Sequence, residues 1–79
     1  MPNLVLYERQ GCPYSQKVLD FMRQKNITVI RKDIGRNDAD RKELLRIGGK
    51  QQVPCLVIDG KPMYESNEII KWLETNFTS

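Results

Sequence analysis

A short apolar run, Asn3-Leu4-Val5-Leu6-Tyr7, is broken by Gly11 and followed at once by Cys12 and Pro13. The run suits a buried strand, and the glycine marks its end. Pro13 fits a first helical position, where its missing N–H is not needed. Val18, Leu19, Phe21 and Met22 then supply an apolar stripe that stops near Lys25 and Asn26. A strand over residues 3–7 and a helix over 13–24 are therefore predicted, with a cysteine at their junction.

Residues 27–31 include Thr28, Val29 and Ile30, the β-branched composition of a second strand, and the helical crossover makes it parallel to the first. Asn37 or Asp38 can cap a second helix, acidic at its start through Asp40 and Glu43. Leu44, Leu45 and Ile47 are its expected apolar face, and Gly48-Gly49 ends it. Residues 53–58 read as a third strand with Pro54 near its start. Asp59-Gly60 is a two-residue hairpin signal into residues 61–64, so the last two strands are antiparallel. Ser66 can cap a final helix that buries Ile69, Ile70, Leu73 and Phe77. The resulting order, β-α-β-α-β-β-α, predicts an α/β fold with a four-stranded mixed sheet flanked by three helices.

At 79 residues the chain has the size of one domain, expected over 1–79, with room for one small core. Hydrophobic residues at 39% and charged residues at 29% exclude a disordered chain. No apolar run approaches the roughly 18 residues of a membrane span, and Met1-Pro2-Asn3 leads into the first strand without a basic leader, so a cytoplasmic protein is expected. Thirteen basic against ten acidic residues give a net charge of +3. Arg9, Lys17, Arg31, Lys42 and Lys71 are scattered, without the basic-aromatic interleaving of a nucleic-acid binder, and a mild positive field suits a small anionic ligand. Two cysteines and no histidine do not make a structural zinc site. No large apolar stripe is left once the core is assigned, so a monomer is expected.

Cys12 stands where unpaired backbone N–H groups and the helix dipole favour a thiolate, the nucleophilic form of the side chain. Arg9, three residues earlier, can add positive charge. Such settings lower a cysteine pKa from about 8.5 to between about 3.5 and 7.5. A free cysteine can also be a small buried apolar residue. Gly11, Pro13 and Ser15, however, belong to an exposed turn opening a helix, which favours reactivity.

Three segments, Cys12-Pro13-Tyr14-Ser15, Gly49-Lys50-Gln51-Gln52-Val53-Pro54 and Tyr64-Glu65-Ser66-Asn67-Glu68-Ile69-Ile70, resemble three successive motifs of the glutaredoxins and span nearly the whole chain. On this order of elements they resemble a thioredoxin-fold, glutathione-binding domain. Glu65-Ser66 is also similar to the amino-terminal domain of glutathione transferases, whose large helical second domain has no counterpart in these residues. The resemblance implies glutathione as co-substrate, Cys12 as nucleophile and Pro13 and Tyr14 as its active-site neighbours, with Tyr14 shielding the bound sulfur. It implies a cis Val53-Pro54 bond and strand-like pairing of that loop with the glutathione backbone. Glu65, Ser66 and Asn67 would hold the γ-glutamyl end, where a carboxylate meets helix N–H groups. Arg9, and Lys50 with Gln52, would counter the glycine carboxylate. Plainer roles stay open beside these: an edge-strand proline at Pro54, a helix cap at Ser66, solvated cations at Arg9 and Lys50, and a surface aromatic at Tyr14.

Ser15 departs from a dithiol glutaredoxin, which has a second cysteine there. The resemblance then implies a monothiol oxidoreductase acting on glutathionylated proteins or small disulfides, with Ser15 donating a hydrogen bond to the Cys12 sulfur. Cys55 follows Pro54 and is either a buried strand residue or a resolving thiol. Two other functions compete. One is a [2Fe–2S] carrier held by two active-site cysteines and two glutathiones, against which Cys-Pro-Tyr-Ser and the short Glu8-Arg9-Gln10-Gly11 lead both speak. The other is a glutathione-binding module without catalysis, which has no need of Cys12.

Overall fold

The computed structural model describes residues 3–77; Met1 and Pro2, which the leader argument used, lie outside them. The elements are β1 (Leu4–Glu8), α1 (Pro13–Gln24), β2 (Ile30–Asp33), α2 (Asp38–Gly48), β3 (Cys55–Ile58), β4 (Lys61–Met63) and α3 (Ser66–Phe77). They form one four-stranded sheet in the order β2-β1-β3-β4, with β1 parallel to β2 and antiparallel to β3, and β3 antiparallel to β4. The predicted order and mixed sheet are those found. Among the described residues no helix is long and apolar enough to cross a membrane.

The two central strands are covered on both faces, which explains why they read as continuous apolar runs. Side chains alternate across the sheet with period two. Leu4 and Leu6 from β1 and Leu56 from β3 point to one face, where they pack with Val18 and Met22 of α1 and with Ile69 and Leu73 of α3. Tyr7, Cys55 and Val57 point to the other, with Ile34 and Leu44 of α2. The register Leu6↔Leu56 and Tyr7↔Cys55 keeps each layer continuous across the strands. Leu45, expected on the apolar face of α2, is 42% exposed. It stands about 100° round the helix from buried Leu44, far enough to leave the core stripe.

On the α2 face a polar tie joins three elements. The Tyr7 hydroxyl donates to the Glu43 carboxylate, and Lys32 Nζ donates to the same carboxylate at 2.6 Å. Hydrogen bonds from Lys32 and Tyr7 hold the Glu43 carboxyl below its usual range, against a smaller opposing effect of burial. At the end of β1, buried Glu8 accepts from Arg31 Nε at 2.6 Å.

Local signals end the elements as their chemistry dictates. Asn26, at φ 55°, closes α1 with its N–H donating to the Arg23 carbonyl (3.3 Å) while the Ile27 N–H donates to Met22 (2.8 Å). Ile27 then packs into the same core as Met22, the hydrophobic contact of a Schellman motif. This corrects the second strand, expected over 27–31. Ile27 belongs to the helix stop, and the ladder starts at Ile30, opposite Val5. The hairpin residues Asp59 (φ 49°) and Gly60 (φ 85°) are both left-handed, as a type I′ turn requires. The final helix starts one residue earlier than a Ser66 cap implies. The Glu65 carbonyl accepts from Ile69 N–H (3.0 Å), which makes Glu65 the flanking residue and Ser66 the first helical one.

Asn37, one of two candidates, is the cap of α2: its Oδ1 accepts from Ala39 N–H at 2.9 Å and Asp40 N–H at 3.4 Å. Asn37→Ala is therefore expected to cost about 0.5–2 kcal/mol. Urea unfolding checks this, and an unchanged midpoint would show that the cap contributes nothing.

Candidate active site

The site is built where β1 gives way to α1. Gly11, at φ 88°, lets the chain turn sharply after the strand, a conformation costly to any residue with a Cβ. Cys12 follows in extended conformation as the N-cap of α1, with Pro13 in the first turn. Its N–H donates to the Arg9 carbonyl (3.1 Å), and its carbonyl accepts from Gln16 N–H (2.9 Å). The side chain is partly exposed and makes no cap hydrogen bond, so the thiol is free to react.

Ser15 lies one turn below and is 1% exposed. Its Oγ accepts from Arg9 N–H at 3.4 Å. Partial burial pushes the Cys12 thiol pKa up. The nearby N–H and hydroxyl of Ser15, then the Tyr14 N–H, and the charge of Arg9 favour the thiolate, outweigh burial and leave the pKa below its ordinary value.

An open cleft of about 370 Å³ lies beside this turn. Tyr14, 66% exposed at the start of α1, forms one wall together with Lys17. Gln52, Val53 and Pro54 form a second, and the Val53-Pro54 bond is cis. Glu65, Ser66 and Asn67 form the third, at the start of α3. Glu65 takes φ 73°, a left-handed conformation rare for a residue with a side chain and concentrated at functional sites. Three separate segments of the chain thus converge on one opening.

Two expected members stand elsewhere. Arg9 lines a separate cavity with Gln10, Asp33, Gly35 and Arg36. Lys50 lies over the Tyr64 ring, 4.4 Å from its centroid, and does not line the cleft. Lys17 is the residue that sequence reasoning passed over, counting it only among scattered cations. It donates to Asn67 Oδ1 at 2.5 Å and so ties α1 to α3 at the cleft. Its spacing of three from Tyr14, on one helix face, was the available signal.

Cys55 is fully buried in the α2-side core, and burial raises its thiol pKa against smaller effects of the Tyr64 hydroxyl, the Met63 N–H and Lys50. The buried-strand reading describes it. The Tyr64 hydroxyl above it also fills the space where a side chain at Gly48 would fall, so α2 and β4 meet closely only because residue 48 has no Cβ.

Residues 6–79 match the family described as glutathione S-transferase, N-terminal domain. Glutaredoxin 3 of Escherichia coli strain K12 is 28% identical over 61 residues, which cover 77% of this chain and 74% of that protein. Glutathione transferase Omega 3C from Trametes versicolor superposes with a TM-score of 0.80 at 31% identity, over 98% of this chain but only 36% of that one. The thioredoxin-like protein BC3987 superposes with a TM-score of 0.75 at 25% identity, over 89% of this chain and 97% of that one. By fold and sequence match together, the chain belongs to the glutathione S-transferase N-terminal domain family, within the glutaredoxin-like branch of the thioredoxin fold.

Proposed function

We propose that this glutathione-related redox domain reduces glutathione mixed disulfides by a monothiol mechanism with Cys12 as nucleophile. The observation that carries the reading is the partly exposed thiol at the start of α1, held toward its thiolate by Ser15 and Tyr14. The cleft beside it suits a molecule with a charged end and an extended backbone. A γ-glutamyl group carries both an ammonium and a carboxylate. The Glu65 carboxylate answers the first, and the unpaired N–H groups of Ser66 and Asn67 with nearby Lys17 answer the second. The loop at Val53 and Pro54 offers backbone groups to the glutathione peptide.

The steps balance as follows. The Cys12 thiolate attacks the glutathione sulfur of the mixed disulfide, the old S–S bond breaks, and the substrate leaves as its thiolate, which water protonates. A second glutathione, as thiolate, attacks the glutathione sulfur now on Cys12, releasing glutathione disulfide and restoring the Cys12 thiolate. Ser15 has no thiol with which to intercept the intermediate, so the second glutathione is required.

The test is the rate at which the purified protein, supplied with glutathione, reduces a glutathionylated peptide. Ping-pong kinetics are expected, and a rate no greater than that of glutathione alone would sink the reading. The first half-reaction should rise with pH through the folded-state pKa of Cys12, with a midpoint below the ordinary thiol range. Ser15→Ala should move that midpoint upward by removing a donor to the sulfur. The sign for stability follows from the same shift. A thiol pKa depressed by folding adds stability that is complete above the unfolded pKa and is lost as pH falls through the folded one.

A further inference from the structure

One side chain meets both ends of the segment that forms the second wall of the cleft. Residues 51–54 run from the end of α2 to the start of β3 and carry Gln52, Val53 and Pro54 into that wall. Lys50 stands before the segment and Cys55 after it. Tyr64 reaches both. Its hydroxyl donates to the Lys50 carbonyl at 3.4 Å, and the Lys50 ammonium lies over its ring. At the other end, the β3–β4 ladder pairs Leu56 with Met63, so Cys55 and Tyr64 are the next residues along it and share a face of the sheet. There Tyr64 packs against the core layer that holds Cys55.

The same side chain is fitted to α2 and leads into the third wall. A Cβ on residue 48, the last of α2, would fall 1.7 Å from the Tyr64 hydroxyl oxygen and 2.9 Å from Cζ. Gly48 has no positive φ, so the position asks glycine for room and not for backbone freedom. Tyr64 directly precedes Glu65, which stands at φ 73° and forms the third wall with Ser66 and Asn67. Tyr64 itself does not line the cleft. It is placed to set the gap between two walls without meeting what lies in the gap.

Resting on the proposed reaction, we infer that Tyr64 is a positioning residue for the glutathione cleft. Its hydroxyl ties the segment at Gln52–Pro54 to the turn at Glu65–Asn67 and so fixes the width of the opening between them. Glutathione spans both walls in that reading, with its peptide backbone on one and its γ-glutamyl end on the other. The spacing therefore enters each step in which a glutathionyl group is seated, because small misplacements of a bound reactant are costly in rate. The Cys12 thiolate, formed at the start of α1, does not depend on it.

Tyr64→Phe removes the hydroxyl and keeps the ring. In this variant kcat/KM for a glutathionylated peptide should fall about three- to tenfold, the worth of one lost hydrogen bond. Alkylation of Cys12 by iodoacetamide, followed by mass spectrometry on the peptide that carries it, should keep its rate and its pH midpoint. A merely structural residue would not separate the two readouts. Gly48→Ala attacks the same contact from the α2 side and should lower kcat/KM by at least as much, again with alkylation unchanged. Without the hydroxyl the added Cβ meets no Tyr64 atom closer than 2.9 Å, so the double variant should lose no more than about twofold beyond the larger single loss. A kcat/KM for Tyr64→Phe within twofold of the native value would overturn the positioning role and leave the oxidoreductase reading standing. Equal losses in peptide reduction and alkylation, or losses that multiply in the double variant, would do the same. If the native protein reduces the peptide no faster than glutathione alone, the oxidoreductase reading falls, and the role of Tyr64 with it.

Discussion

Cys12→Ser is expected to lower glutathione-dependent reduction of a glutathionylated peptide by roughly three orders of magnitude or more, to the rate of glutathione alone. A serine hydroxyl at the same position is not ionised near neutral pH, so the hydrogen bonds and charge that favour a thiolate have nothing to stabilise. Cys55 cannot take over, since it is fully buried on the α2 side of the sheet with its thiol pKa raised. Folding should be intact, because Cys12 is partly exposed and packs into neither core cluster. Steady-state rates set against thermal unfolding of the same preparations check both halves. A Cys12→Ser protein that keeps a tenth of the native rate would move the chemistry to another group.

Leu56→Ala is expected to destabilise the domain by about 2–5 kcal/mol. Leu56 is fully buried in β3, opposite Leu6 of β1 and Met63 of β4, and packs in the core under α1 and α3. Truncating it removes apolar contact and leaves a cavity at the centre of the sheet, where neighbours on three sides have little freedom to collapse. A domain of this length has a total stability of about 4–12 kcal/mol, so the loss is a large share of it. Thermal unfolding should show a midpoint lower by at least about 10 °C. A fall of only a degree or two would mean that this layer is not the centre of the core.

The position of β3 ties this packing to the chemistry. Its first residue, Cys55, follows the cis-proline loop that walls the cleft, so the buried strand sets where Val53 and Pro54 stand. The same holds for α1. Its inner face carries Val18 and Met22 into the core, and its first turn carries Cys12, Tyr14 and Lys17 to the surface. The site is rigid because each wall begins or ends an element whose other end is buried.

What the sequence determined by itself is mostly what the backbone decides within a few residues. Gly11 and Pro13 locate the strand-to-helix turn, Asn37 and Gly49 bracket α2, and Asp59-Gly60 turns the hairpin, because each meets a short-range demand on φ or on an unpaired N–H or C=O. The core layers were legible as well, since period two in β1 and β3 and the helical stripes of α1 and α3 name the same residues that pack together. The tertiary structure decided what depends on distant partners. Ile27 joined the stop of α1 and left β2 to begin at Ile30, because the ladder has no register with β1 before Val5. Glu65 took the flanking conformation that Ser66 was expected to take. Lys17 entered the cleft through Asn67, fifty residues away, while Lys50 turned to Tyr64 and Arg9 to the β2 side. Spacing along the chain carries no record of which edge of the sheet a loop faces. The strand order β2-β1-β3-β4 does, and it brings the segment before β3 and the segment after β4 together as two walls of one cleft.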